Sequence, residues 1–112
     1  MEVRYRTRQL EKLASDSKKR LKELGRDAAK RFESRISEFK AAECLEDLKN
    51  LPQARIHPLK GNRKHQFSAD LVHPYRLLFA VENDPEPKKA DGGWDWSRIT
   101  TIQIEEITDT HE

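Results

Sequence analysis

Residues 56–79 read IHPLKGNRKHQFSADLVHPYRLLF, and this stretch decides the fold of the second half of the chain. Residues 66–71 alternate between apolar and polar side chains, and residues 75–81 form a strongly apolar run. Alternation predicts a strand that buries one face and leaves the other in water. Turn signals at Gly61-Asn62 and at residues 72–74 separate these segments, so successive antiparallel strands are expected.

The same stretch carries a high density of cationic side chains. They are interleaved with apolar residues, which places them on the water-facing side of the predicted strands: His57, Lys60, Arg63, Lys64, His65, His73 and Arg76. A sheet face that bears Lys, Arg and His suits a phosphate backbone and the chemistry done on it. RNA or DNA is therefore the first substrate class to consider.

The first part of the chain is predicted to form one strand and a pair of helices. Val3 and Tyr5 alternate with charged residues, and Thr7 is placed to cap a helix that stops at Gly25. Four leucines form the apolar face of this helix: Leu10, Leu13, Leu21 and Leu24. A second helix over residues 27–40 follows directly, so the two helices are expected to form an antiparallel hairpin.

The remaining elements complete an α+β fold. Residues 54–59 are expected to be an edge strand, because Pro58 lies inside them. Trp94 and Trp96 lie in a predicted loop, and we expect them to pack onto the sheet rather than stack on a ligand. With a last strand over residues 99–108, the chain is predicted to be one domain, residues 1–112. Its helical hairpin would pack on one face of a curved, mainly antiparallel sheet of four to five strands, with the other face open.

Composition and charge narrow the functional classes. The 112 residues are 35% hydrophobic and 38% charged, with a net charge of +2 that divides into +6 over residues 1–40, +2 over residues 41–80 and −6 over residues 81–112. The basic half could meet a polyanion, or it could be a solvated amphipathic helix pair.

The single cysteine, Cys44, excludes an intrachain disulfide and fits a small buried hydrophobe better than a nucleophile. No apolar run is long enough to cross a bilayer, so a soluble, cytoplasmic protein without a membrane partner is expected.

Cleavage of RNA without a metal needs a base for the 2′-hydroxyl, an acid for the leaving 5′-oxygen and a cation for the phosphorus centre. His57 and Lys60 bracket residues 58–59 at the end of one predicted strand and can supply part of this set. Arg76 lies on the opposite side of its strand from Tyr75 and Leu77. The simpler interpretations are a surface histidine and a turn lysine. Arg76 is harder to dismiss, because a charge within an apolar strand needs a partner. No metal or cofactor site is expected, since the histidines lack partners at ligand spacing and no phosphate-binding glycine loop occurs.

At these residues the chain resembles the HigB-type killer toxins of the RelE/ParE superfamily of bacterial type II toxin–antitoxin systems. The resemblance covers essentially the whole chain, from VRYRTRQLEKL and NLPQARIHPLKG to DGGWDWSRIT and the final EITDTH. The His-Pro-Leu-Lys-Gly turn and the terminal Asp-x-His are its most specific parts.

The resemblance implies a toxin that enters the ribosomal A site and cuts mRNA there, until a cognate antitoxin neutralises it. That antitoxin would be HigA-like and DNA-binding, so the complex would reach operator DNA through the antitoxin. The family's catalytic histidine and lysine fall on His57 and Lys60, and its phosphate-contacting arginine on Arg76. Its Asp-Tyr-His falls on residues 109–111, as Asp109 and His111 with threonine at the middle position.

Thr110 is the departure from the family pattern. Threonine has no ring to stack on a base and is a poor acid near neutral pH, so cleavage could be weakened. A second hypothesis is therefore a binding toxin with little nuclease activity, which poisons a target such as DNA gyrase or acts as a co-repressor with its antitoxin. In the nuclease hypothesis, basic side chains would hold ribosomal or messenger RNA. These are Arg63, Lys64, Lys18, Lys19, Arg20, Lys30 and Arg31.

Overall fold

The structure is a computed structural model that describes residues 1–109, so Thr110, His111 and Glu112 lie outside the described part. The elements in chain order are β1 (Glu2–Tyr5), α1 (Arg8–Ser15), α2 (Ser17–Leu24), α3 (Arg26–Ala41), β2 (His57–Pro58), β3 (Gln66–Asp70), β4 (Tyr75–Val81) and β5 (Thr101–Asp109). Short 3₁₀ turns occupy Leu45–Leu48, Gly61–Arg63 and Trp96–Arg98.

The five strands form one mixed sheet in the order β1-β5-β4-β3-β2. β1 runs parallel to β5, and the other neighbouring strands pair antiparallel. The α+β class and the mainly antiparallel sheet are confirmed. The edge position of β2 is also confirmed, although this strand has only two residues rather than the predicted six, because Pro58 cannot donate to a ladder.

The main core lies between the helices and one face of the sheet. Phe39 of α3 packs on Phe79 of β4, with ring centroids 4.9 Å apart, and Phe79 stacks on Phe67 of β3 at 5.5 Å. Trp94 and Trp96 lie against Phe67 at 5.6 and 5.3 Å. The prediction that these two tryptophans pack down onto the sheet is therefore confirmed.

The prediction of one continuous first helix is wrong. Asp16 adopts an extended backbone (φ −116°), and its carboxylate accepts hydrogen bonds from the backbone N–H groups of Lys18 and Lys19, both at 3.1 Å. Because Asp16 caps the N-terminus of α2 with an extended backbone, α1 ends before it, and α1 and α2 are separate helices. The break changes which face of α2 is buried. Leu21 is 54% exposed, whereas Arg20 is only 7% exposed.

The tight join at Gly25 is confirmed. Gly25 has φ +80°, a backbone conformation that glycine adopts without steric cost, and its N–H donates to the carbonyl of Leu21. α3 begins at the next residue, Arg26. The N-terminal layer therefore contains three helices rather than a two-helix hairpin.

The second face of the sheet is open only at one end. Gln66, Ser68, Leu78 and Ala80 lie on this face, and all four are buried. Arg63 reaches across it, donating from Nη1 to Gln66 Oε1 and to Glu106 Oε1, both at 3.1 Å. The expectation of a fully open second face is therefore corrected, and the exposed part lies toward Arg76. None of the helices in residues 1–109 has the length and apolarity to span a membrane.

Candidate active site

His57 lies on the second face of the sheet, at the edge strand. It pairs with Ser68 of β3, which in turn pairs with Leu78 of β4, so the three residues share one face. The ring nitrogen Nδ1 lies 2.9 Å from the carbonyl oxygen of Arg55. A carbonyl only accepts, so Nδ1 is the donor in this contact, and a neutral ring would carry its lone pair on Nε2. In the neutral ring, Nε2 is therefore the nitrogen that could accept a proton.

Arg76 lies on the same face, two residues along β4 from Leu78. It pairs with Asp70 of β3, and its Nη1 donates to Asp70 Oδ1 at 3.2 Å. The positive charge of Arg76, for which the sequence indicated no partner, is therefore paired with Asp70. The register places the Cα atoms of His57 and Arg76 two strands and two residues apart, about 12 Å, so that both side chains can reach one phosphate group.

Arg55 completes a connected chain of polar contacts. Its Nε lies 2.8 Å from Asp70 Oδ2, so the carboxylate of Asp70 bridges Arg55 and Arg76. The carbonyl of Arg55 in turn holds His57. Sequence reasoning missed both Arg55 and Asp70. Asp70 could have been found, because a hairpin centred on His73 sets residue 70 opposite residue 76.

A small polar cleft lies beside this chain of contacts. Its volume is about 120 Å³, and its walls are Arg55, Asp70, His73, Pro74, Tyr75 and Arg76. Tyr75 is 51% exposed, which is unusual for a large aromatic side chain. The cleft combines two cations, one carboxylate and an accessible ring, a set suited to an anionic group attached to a planar base.

The Gly61 turn places further cations near the edge of the sheet. Lys60 is exposed at the start of this turn, and Lys64 is exposed at its end. Arg63 is more constrained, because it forms the ion pair with Glu106 described above. Lys60 and Lys64 are the two basic side chains of this turn that face water.

Asp109 lies on the other face of the sheet, at the end of β5. It pairs with Tyr75, whereas Arg76 pairs with Thr108, so strand alternation sets Asp109 on the face opposite to Arg76 and His57. The structure therefore brings His57 and Arg76 to one face and does not bring Asp109 to them. His111 and Thr110 lie outside the described residues.

The N-terminal basic residues divide into two groups. Lys18, Lys30 and Arg31 are exposed, and Lys19 forms a 2.9 Å ion pair with Glu23. Arg20 belongs to the fold, since its Nη1 donates to the carbonyls of Leu13 and Ala14 at the end of α1. We therefore remove Arg20 from the predicted RNA-binding set.

Outside this site, the pKa values of two side chains are shifted. Burial, followed by the charge of Glu11, raises the pKa of the Tyr5 hydroxyl. Hydrogen bonds from Ser97 and then Arg98 lower the pKa of the exposed Asp95 carboxyl. Neither residue borders the cleft.

Within residues 1–109, no group of three or more His, Cys, Asp or Glu side chains is arranged to hold a metal ion. Comparison with known proteins gives no further assignment: no family model, curated protein or solved structure matches the chain.

Proposed function

We propose that this protein is the toxin of a type II toxin–antitoxin pair, a ribosome-dependent endoribonuclease that cuts mRNA and so inhibits translation. The observation that carries the proposal is the placement of His57 and Arg76 on the same face of the sheet, where the contact of His57 Nδ1 with the Arg55 carbonyl leaves Nε2 as the basic nitrogen of the neutral ring. The resemblance to HigB-type toxins of the RelE/ParE superfamily, noted on the sequence, points to the same chemistry.

The proposed reaction is an in-line attack of the ribose 2′-oxygen on the adjacent phosphorus. His57 Nε2 takes the 2′-hydroxyl proton, the bond from the 2′-oxygen to phosphorus forms, and the bond from phosphorus to the 5′-oxygen breaks. The products are a 2′,3′-cyclic phosphate, which can open to a 3′-phosphate, and a 5′-hydroxyl. Neither a metal nor a cofactor is needed for these steps.

Charge stabilisation falls to the cations around the turn and strand β4. Arg76 and Lys60 would neutralise the extra negative charge that develops on the phosphate oxygens. The leaving 5′-oxygen needs a proton, which the family resemblance assigns to Asp109 and His111. Because Thr110 stands where the family has tyrosine, we expect weaker cleavage than a toxin with that ring would give.

The partners follow from the same proposal. Free toxin would bind the ribosome and mRNA through exposed cations of α2, α3 and the Gly61 turn. These are Lys18, Lys19, Lys30, Arg31 and Lys64, with Arg63 once its ion pair opens. A HigA-like, DNA-binding antitoxin would neutralise it in the cytoplasm and link it to operator DNA.

A second candidate function is a binding toxin without nuclease activity, such as a gyrase poison or a co-repressor. The position of Asp109 favours it, because this carboxylate lies on the face opposite to His57 and Arg76. That placement leaves Asp109, one of the two residues proposed to supply the proton, off the face that carries His57 and Arg76.

Induction of the protein alone in a bacterium, followed by mapping of new mRNA 5′ ends, separates the two functions. His57→Ala and Arg76→Ala serve as active-site variants, and Arg98→Ala serves as a surface control that removes an exposed ion pair away from the cleft. Cuts confined to translated frames, lost in the first two variants and kept in the third, support the nuclease. Growth arrest without cuts refutes the nuclease and favours the binding toxin.

A further inference from the structure

Asp70 is the shared counter-ion of two arginines on the open end of the sheet. Its Oδ1 accepts from Arg76 Nη1 at 3.2 Å, and its Oδ2 lies 2.8 Å from Arg55 Nε. Each carboxylate oxygen thus meets one guanidinium, a spacing that an oxygen pair of a phosphate group also provides. The three side chains together carry a net charge of +1, which leaves one positive charge for an external anion.

The backbone fixes Arg55 in this arrangement. The N–H of Asp70 donates to the carbonyl of Ala54 at 2.7 Å, so the segment before β2 is attached directly to the end of β3. Arg55 itself has φ +42°, a conformation that residues with a side chain seldom adopt. Strain of this kind persists only where surrounding contacts hold it, and it concentrates at ligand-binding positions.

Arg55 also connects the arginine pair to His57. Its carbonyl accepts the Nδ1 proton of His57, while its guanidinium borders the cleft that Arg76 and Tyr75 also line. An anion in this cleft therefore lies next to the residue that holds the proposed base. The side chain of Arg55 is 59% exposed, so it can turn toward a ligand without unfolding its surroundings.

We infer that Arg55 and Arg76 form a two-arginine subsite for a phosphate of the RNA strand, and that Asp70 occupies it as an internal anion until RNA displaces it. This inference rests on the proposed function, since it names the second arginine and the built-in competitor of the same site. Asp70 lowers the affinity for phosphate and keeps both guanidinium groups apart and oriented. Removal of its charge leaves the subsite at +2.

The test measures binding rather than cleavage. The probe is a fluorescent, fully 2′-O-methylated pentanucleotide, which carries phosphodiesters but no 2′-hydroxyl to attack, and binding is followed by anisotropy at several salt concentrations. The variants are Arg55→Gln, Arg76→Gln and Asp70→Asn. The matched control is Arg98→Gln, because Arg98 pairs with Asp95 at 2.9 Å and is 61% exposed, close to the 59% of Arg55.

We expect Arg55→Gln and Arg76→Gln each to weaken binding about tenfold, and to reduce the slope of log affinity against log salt by about 0.7. Asp70→Asn should tighten binding about threefold to tenfold by removing the internal competitor. Arg98→Gln should stay within about twofold of the wild-type chain. Thermal melts of every variant identify any that are unfolded at the assay temperature, and Arg55→Lys then replaces Arg55→Gln as a folded variant that loses bidentate geometry.

Several outcomes would overturn the inference. These are unchanged binding in Arg55→Gln, weaker binding in Asp70→Asn, or no binding of the probe by the wild-type chain. The experiments can reject the arginine subsite and the proposed nuclease independently of each other. Binding that follows Arg55 and Asp70, without mRNA cuts in cells, retains the subsite and rejects the nuclease. Cuts in cells that Arg55→Gln leaves unchanged reject the subsite and retain the nuclease.

Discussion

Replacement of Arg20 by methionine should destabilise the fold, because this arginine joins α1 and α2 from inside. One nitrogen, Nη1, donates to the carbonyls of Leu13 and Ala14 at 2.9 and 3.1 Å, and Nη2 donates to Glu33 at 3.2 Å. The last carbonyls of a helix have no partner within it, so Arg20 supplies what α1 lacks. Methionine has nearly the same helix propensity as arginine, which isolates the loss of these bonds.

The magnitude follows from the burial of each partner. Hydrogen bonds to a charged group contribute about 1.5–3 kcal/mol each, and since one nitrogen serves both carbonyls we count them together as about 2–4 kcal/mol. Glu33 is 65% exposed, so its ion pair adds about zero. For a domain of this size, about 4 °C of Tm per kcal/mol gives a fall of about 8–16 °C.

Urea unfolding and a thermal melt measure this prediction directly. Lys18→Met is the matched control, because Lys18 is exposed on the same helix and should change the free energy of unfolding by less than about 0.5 kcal/mol. Equal, small effects of the two substitutions would refute the role assigned to Arg20 and would return it to the surface that contacts RNA.

Three further predictions concern a cap, a titration and the C-terminal motif. Asp16→Ala should cost about 1 kcal/mol in urea unfolding through loss of the α2 cap, and Asp16→Asn, which still caps, should cost clearly less. The raised pKa of Tyr5 means that the unfolded chain ionises first, so stability falls as pH rises through about 10. Tyr5→Phe should remove that part of the decline in unfolding free energies measured from about pH 9 to 11, and parallel curves would contradict it. Thr110→Tyr should raise mRNA cleavage in a translation reaction, and unchanged cleavage would mean that the ring does not limit the reaction.

The helical region shows what hydrophobic periodicity detects and what it misses. Leu10 and Leu21 lie eleven residues apart, which is close to three helical turns, so their spacing is compatible with one unbroken helix. Hydrophobic periodicity does not detect a capping side chain, and the helix is interrupted at Asp16. The buried side of α2 then carries Arg20 instead of Leu21. Thr7 and Gly25, whose roles depend only on local chemistry, were predicted correctly.

The candidate site shows a similar division between local and tertiary information. Arg76 was singled out from its strand, and its pairing with Asp70 follows from the register of a hairpin centred on His73. Arg55 could not be predicted, because its contact with Asp70 depends on a positive φ and on a backbone bond between Ala54 and Asp70. The face occupied by Asp109 depends on a bulge in the pairing of β4 with β5 near Leu78, where alternation along the sequence no longer gives the side.

Ribosome-dependent cleavage is tested most directly with purified protein, ribosomes stalled on a defined mRNA, and analysis of the RNA ends. The proposed endoribonuclease should cleave only when ribosomes are present, and it should leave a 2′,3′-cyclic phosphate or 3′-phosphate upstream of the cut. A single 2′-O-methyl group at the cleaved nucleotide should abolish the cut, and His57→Gln should reduce it by at least about a hundredfold, the usual contribution of a general base. Cleavage that persists in the methylated mRNA or in His57→Gln, or intact mRNA with the wild-type chain, would contradict the account.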